Sequence, residues 1–330
     1  MIIDSQVLHT GIDDIFSAHN SSIAVSPRRF KDIAGDNEAI SKDAYTKMKK
    51  LLDNNKVFVA PFCDAALIYR HLKNANELGQ KILQHKNLRW YTDGYLQMEV
   101  DDCVDQTYSL PSNFVAEFSG EILQPKIAIN EESRYVCMMN NHREHRDHLL
   151  LNLSHRNMMN KGDVVYHGRS FDVPGIMDFP LFGDTRPLKQ ETYHGHITDT
   201  LMYKAVMIEL VSEAFIDNLI FITEKCVRPM CAGIPAIYVA GRGYVQSLRD
   251  LGFAVYDHVI DHSYDTEADD WIRINKVCVE LQHIMNLYTP QQFYDATIEN
   301  TMHNQKLLKE KYLNAEPDAF LKSWINDVGN

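Results

Sequence analysis

Three consecutive residues, Thr223-Glu224-Lys225, place a hydroxyl, a carboxylate and an ammonium at what reads as the start of a helix. A threonine side chain accepts from the free N–H groups of a first helical turn. A carboxylate beside it suits ribose hydroxyls, and an ammonium there neutralises a phosphate near the positive end of the helix dipole. The same residues also have a plainer reading, in which Glu224 complements the dipole and Lys225 is solvated. Arg143 and Arg146 form a second cationic group, in a segment that carries His142, His145 and His148 after the apolar run Tyr135–Met139. Cations in a first turn oppose the dipole, at roughly a few tenths of a kcal/mol each, unless an anion compensates. A bound diphosphate would be such an anion; pairing of Arg143 with Asp147 and of Glu144 with His148 at i,i+4 spacing is the alternative. Asp64 and Asp93 each follow an apolar run, where a carboxylate offers a general base toward a hydroxyl. As an N-cap and a turn residue they also have structural roles to fill.

These groups need a scaffold, and the stretch from Ala205 to Tyr256 supplies one. Val206–Val211 and Ile237–Ala240 are short apolar runs, and Phe253–Tyr256 is a third. Between the first two, Thr223 caps a helix that stops at Gly233, the residue type that tolerates a left-handed C-cap. Gly243 opens a second helix, Tyr244 to Asp250, ended by Leu251-Gly252. Strand, helix, strand, helix, strand is the pattern of one half of an open parallel sheet, whose ligands sit beyond the carboxyl ends of the strands. Earlier in the chain, Val57–Phe62, a helix from Asp64 to Leu78 and Leu88–Tyr95 make a further unit of this kind. Trp271 to Tyr288 places Trp271, Ile274, Val277, Leu281 and Ile284 on one apolar stripe, expected to face a core.

Thr223-Glu224-Lys225, Pro229, Gly233-Ile234-Pro235, Gly243 and Leu248-Arg249-Asp250-Leu251-Gly252-Phe253 together resemble the donor-binding half of GT-B glycosyltransferases, most of all fucosyltransferase-like ones. The resemblance runs from about residue 135 to 275 and is strongest between 220 and 265. It implies an α/β fold of two Rossmann-like domains facing each other across a cleft. It also implies that Thr223, Glu224 and Lys225 grip a nucleotide-sugar such as a UDP- or GDP-sugar. Arg143 or Arg146 would then meet its diphosphate, Gly243 would stand at the same pocket, and Tyr264 would lie on a closing loop, where a structural role is the alternative. Similar small enzymes are frequent in phage and bacterial genomes. The acceptor hydroxyl is accordingly sought on a hydroxymethylated base in DNA or on a glycan, and no cofactor beyond the donor is implied. A two-domain nucleotide or sugar receptor without turnover is the competing class; it would show no donor hydrolysis.

The 330 residues allow two domains, expected at 1–158 for the acceptor and 159–290 for the donor, with terminal helices in 291–330 packing back on the first. The boundary is set by the glycine- and proline-rich stretch between residues 160 and 200. A net charge of −12 argues against non-specific coating of nucleic acid, although Arg143, Arg146, Arg156, Lys161 and Arg169 would line one basic face. The six cysteines form no C-x-x-C pair and read as reduced core thiols. D-x-D is absent from the sequence, which predicts sugar transfer without a metal. No apolar run is long enough to span a bilayer and the N-terminus lacks a signal-like core, so a cytoplasmic protein without a membrane partner is expected.

Overall fold

The computed structural model describes residues 22–25, 40–54, 56–59, 69–70, 72–74, 76–92, 95–96, 100, 102–106, 125, 134–139, 143–166, 206–217 and 219–313. The chain divides into two compact units, Met1–Asn113 with Ala315–Asn330, and Phe114–Asn314. Both are α/β.

In the first unit, β1 (Ser22–Val25), β2 (Lys56–Val59), β3 (Leu88–Thr92) and β5 (Val104–Gln106) form a four-stranded sheet in that order, with every pairing parallel. A two-residue strand, β4 (Tyr95–Leu96), follows β3. Parallel neighbours need crossovers, and helices supply them. α1 (Lys42–Asn54) buries Ala44, Met48 and Leu52, which recur every four residues on one face. α2 (Glu77–Leu83) is capped by Asn76, whose side chain accepts from the N–H groups of Leu78 and Gly79 at 3.1 Å each. The helix expected from Asp64 to Leu78 therefore ends in a capped restart at Asn76 rather than running through it.

The second unit holds β6 (Tyr135–Met139), α3 (Glu144–His155), β7 (Gly162–Tyr166), β8 (Ile208–Ser212), β9 (Leu219–Ile220), α4 (Glu224–Ala232), β10 (Ala236–Val239) and α5 (Tyr244–Asp250). Two long helices close it, α6 (Asp270–Leu287) and α7 (Pro290–Leu307). The sheet order is β10-β8-β6-β7, again parallel throughout. From β6 the chain steps outward to β7, then returns to the other side of β6 to lay down β8 and β10. That reversal makes the gap between the carboxyl ends of β6 and β8 a topological switch point, where open α/β sheets bind ligands. α3 packs with α6, and α4 with α7. Right-handed crossovers leaving β6 and β8 in opposite directions place α3 and α4 on opposite faces of the sheet.

Four expectations are corrected. The boundary at residue 158 falls inside the second unit, because β6 and β7 pair along their whole length and share one sheet with β8 and β10. The helix that opens the 291–330 segment, α7, belongs to that unit and packs on α4. Phe253–Tyr256 forms no strand, although Phe253, Val255 and Tyr256 are buried. Its backbone is served instead by a side chain of α7: Ala254 donates to Asn304 Oδ1 and accepts from Asn304 Nδ2, both at 2.8 Å. Trp271 is 37% exposed rather than in the core, its ring lying 4.7 Å from that of His148. The remainder of the α6 stripe, Ile274, Val277, Leu281 and Ile284, is buried as expected.

Candidate functional site

The carboxyl edge of the second sheet is organised by a residue that the sequence did not single out. Glu213 directly follows β8 and is 1% exposed. Its Oε1 accepts from Tyr244 OH at 2.6 Å and from Thr223 N at 3.3 Å. Its Oε2 accepts from Thr223 Oγ1 at 2.6 Å and from Ala214 N at 3.3 Å. Its backbone carbonyl faces the other side of the switch point, 3.1 Å from His145 Nε2 and 3.4 Å from Arg146 Nη2. One residue thus joins the starts of α3, α4 and α5, the helices that flank the strand ends.

Thr223, Glu224 and Lys225 sit where the sequence put them. Thr223 is the N-cap of α4, its Oγ1 accepting from Lys225 N at 3.3 Å, and Gly233 closes the helix in the left-handed conformation at φ 73°. Lys225 Nζ lies 2.8 Å from Glu224 Oε1 and 3.2 Å from Thr223 Oγ1, with its side chain 15% exposed. Burial would push the Glu224 carboxyl up, but the adjacent Lys225 ammonium outweighs it and the net shift is downward. An ammonium and a carboxylate therefore stand together at a positive helix end.

Gly243 adopts φ 80° at the start of α5, a conformation that a side chain would strain. The helix end behind it is already filled. Asp265 accepts from Val245 N at 2.9 Å and Gln246 N at 3.0 Å, and its carbonyl takes the Gly243 N–H at 2.9 Å. An internal carboxylate thus takes the N–H groups at the start of α5, beside the Gly243 that was expected to stand at the donor pocket. Tyr264 is 2% exposed and shares a 2.8 Å hydrogen bond with His262 Nδ1, so it is an interior residue and not part of a surface loop. Arg273, also buried, braces this edge by donating to Ala240 O at 3.0 Å and Glu267 O at 2.6 Å, and to Ile216 O.

The two arginines separate. Arg146 is 2% exposed, and its Nη2 also donates to Ser212 O at 3.3 Å, tying α3 to the end of β8. That role is structural. Arg143 is the N-cap residue of α3, exposed, its guanidinium 5.3 Å from the centre of the Phe215 ring at the switch point. Of the pair, it is Arg143 that is placed to meet an anion. Asp147 accepts from Tyr166 OH at 3.1 Å, and Arg156 Nη2 donates to Asn275 Oδ1 at 2.5 Å, which draws Arg156 away from a basic face. Asp64, Asp93, His142 and Arg169 lie outside the described residues.

His145 gives the site a pH dependence. Burial, helped by the Arg146 charge, pushes its imidazole down from 6.5 to about 4, and burial also lowers His262. The unfolded chain protonates both rings below about pH 6.5, whereas the fold keeps them neutral, so stability is complete above that pH and is lost as the pH falls toward 4. Urea midpoints should fall steadily between pH 6.5 and 4, and His145→Gln, which keeps a donor toward Glu213 O, should flatten that slope.

All five described cysteines are buried. Among the described residues no group of three or more His, Cys, Asp or Glu side chains is placed to hold a metal ion, and no helix is long and apolar enough to cross a membrane. A groove lined by Arg249, Asp257, His258, Asp261, His262, Glu280 and His283 includes none of Arg143, Glu213, Thr223, Glu224 and Lys225. No protein-family model, curated protein or solved structure matches the chain.

Proposed function

We propose that the protein is a glycosyltransferase of the GT-B type, that its second unit binds the nucleotide-sugar, and that it transfers the sugar to an acceptor hydroxyl. The observation that carries this reading is the placement of Thr223, Glu224 and Lys225 on a capped helix start at the carboxyl edge of a parallel sheet, where a phosphate is favoured by dipole and ammonium together. Lys225 and the exposed Arg143 supply the positive charge that a departing nucleoside diphosphate needs. Glu224 is read as the acceptor for the ribose hydroxyls. In the transfer the acceptor oxygen bonds to the anomeric carbon, the bond to the diphosphate oxygen breaks, and the acceptor's proton passes to a carboxylate, for which Asp64 and Asp93 are the proposed bases.

The test is a screen of UDP- and GDP-sugars by thermal shift, followed by transfer assays on DNA carrying hydroxymethylated bases and on glycans. Thermal stabilisation by a nucleotide-sugar and transfer to either acceptor support the reading; a chain stabilised by no nucleotide-sugar defeats it. Because the sequence has no D-x-D and cationic side chains stand in for a metal, transfer should continue in excess EDTA. Loss of activity that Mg²⁺ or Mn²⁺ restores would overturn the metal-independent mechanism.

A further inference from the structure

The hydroxyl of Thr223 has one hydrogen to give and lone pairs to accept with. Three groups surround it: Glu213 Oε2 at 2.6 Å, Lys225 N at 3.3 Å and Lys225 Nζ at 3.2 Å. The backbone N–H and the ammonium of Lys225 are donors only, and both oxygens of Glu213 are receiving hydrogens from Tyr244, Ala214 and Thr223. The Thr223 hydrogen must then point at Glu213, which turns the lone pairs toward Lys225. From this directionality we infer that Glu213 is the positioning residue of the site. By taking that hydrogen it keeps Thr223 an acceptor, and so holds the Lys225 ammonium at the start of α4. Through Tyr244 OH the same carboxylate fixes the start of α5. The claim about Lys225 stands on geometry alone; its consequence for a donor phosphate rests on the glycosyltransferase reading.

Glu213→Gln tests the polarity, because the amide nearly matches the carboxylate in shape but carries a donor NH₂ in place of one acceptor oxygen. Whichever way it turns, it presents hydrogens to Thr223 or to Tyr244, and a hydroxyl that receives one at Thr223 must aim its own hydrogen at the donors of Lys225. Two quantities are measured on the full chain. The first is the rate at which sulfosuccinimidyl acetate modifies Lys225, followed by peptide mass spectrometry without any ligand. The second is the affinity for UDP-glucose and GDP-fucose by calorimetry. Glu213→Gln should raise the acetylation rate about tenfold and weaken nucleotide-sugar binding by about tenfold or more, as expected when a charge-assisted bond is lost. Thr223→Val removes only the hydroxyl and should do the same, and the double variant should go no further.

Folded Glu213→Gln and Thr223→Val proteins that both acetylate at the wild-type rate overturn the proposal, as do two that both bind a nucleotide-sugar as tightly as wild type. If acetylation rises while neither nucleotide-sugar binds even the wild type, the positioning role holds and the donor reading falls. Should Glu213→Gln fail to fold, Thr223→Val decides on the same two measurements.

Discussion

Lys225→Ala should lower affinity for the nucleotide-sugar donor by about tenfold to a hundredfold and bring transfer close to zero, with the fold retained. The ammonium sits at the first turn of α4, bonded to Glu224 Oε1 at 2.8 Å and to Thr223 Oγ1 at 3.2 Å. A phosphate arriving there gains one charge-assisted hydrogen bond, worth about 1.5 to 3 kcal/mol. Removing the ammonium also leaves Glu224 facing that phosphate without its cation, and the repulsion adds to the loss. The fold has less at stake. Thr223 keeps its bonds to Glu213, and an ion pair at a partly exposed position contributes about 1 kcal/mol or less. Calorimetry on the variant, with its unfolding midpoint as control, decides the matter; wild-type donor affinity would return the residue to a solvated flank of the helix dipole.

Arg143→Ala and Arg146→Ala should fail in opposite ways. Arg146 is buried and its guanidinium spans the switch point to Ser212 O and Glu213 O, so truncation removes a donor from both carbonyls, of which Glu213 O keeps His145, and leaves a void in the interior. A loss of about 2 to 4 kcal/mol in stability is expected, read from chemical denaturation. Arg143 is exposed, and its contact with Phe215 is worth roughly 0.5 to 1 kcal/mol. Its removal should leave the denaturation midpoint nearly unchanged and weaken donor binding about tenfold, whichever acceptor is offered. If Arg143 instead touches a nucleic-acid backbone, donor affinity will survive and the salt slope of DNA binding will shrink by about one unit. Equal stability of the two variants would contradict the split.

The sequence made local structure readable where the signals were local. The Thr223 cap, the stop at Gly233 and the opening at Gly243 each depend on residues within one turn, and each stands where it was expected. The α/β class and the parallel sheet followed from the spacing of apolar runs. What could not be read was anything decided by a distant partner. Glu213 looks like an ordinary charge after a strand until Thr223 and Tyr244, 10 and 31 residues later, close on it. Arg146 and Arg143 are the same residue type three positions apart, and only the carbonyls 66 and 67 residues away from Arg146 show that one faces inward. Asp265 was legible as a residue but not as the occupant of a helix end 19 and 20 positions before it. The boundary expected at residue 158 separates Tyr135–Met139 from Gly162–Tyr166 because glycines and prolines punctuate residues 160 to 200, whereas the ladder between the two segments joins them in one sheet.

The clasp of Asn304 on Ala254 sets an order of events during synthesis. Besides that pair, Tyr256 OH meets Thr301 Oγ1 at 3.2 Å, and His258 Nε2 bonds Ala296 O at 2.6 Å. The segment after α5 therefore takes these partners from a helix translated 38 to 50 residues later. At about 5 to 20 residues per second, roughly 2 to 10 seconds pass between the two. Through that interval the nascent chain carries Phe253, Val255 and Tyr256 with nothing of α7 to cover them, and a peptide group whose hydrogen bonds go to water. The last helix of the unit is thus the one that shuts it. A ribosome that stalls before Asn304 releases an open, apolar segment of the kind chaperones hold and proteases cut.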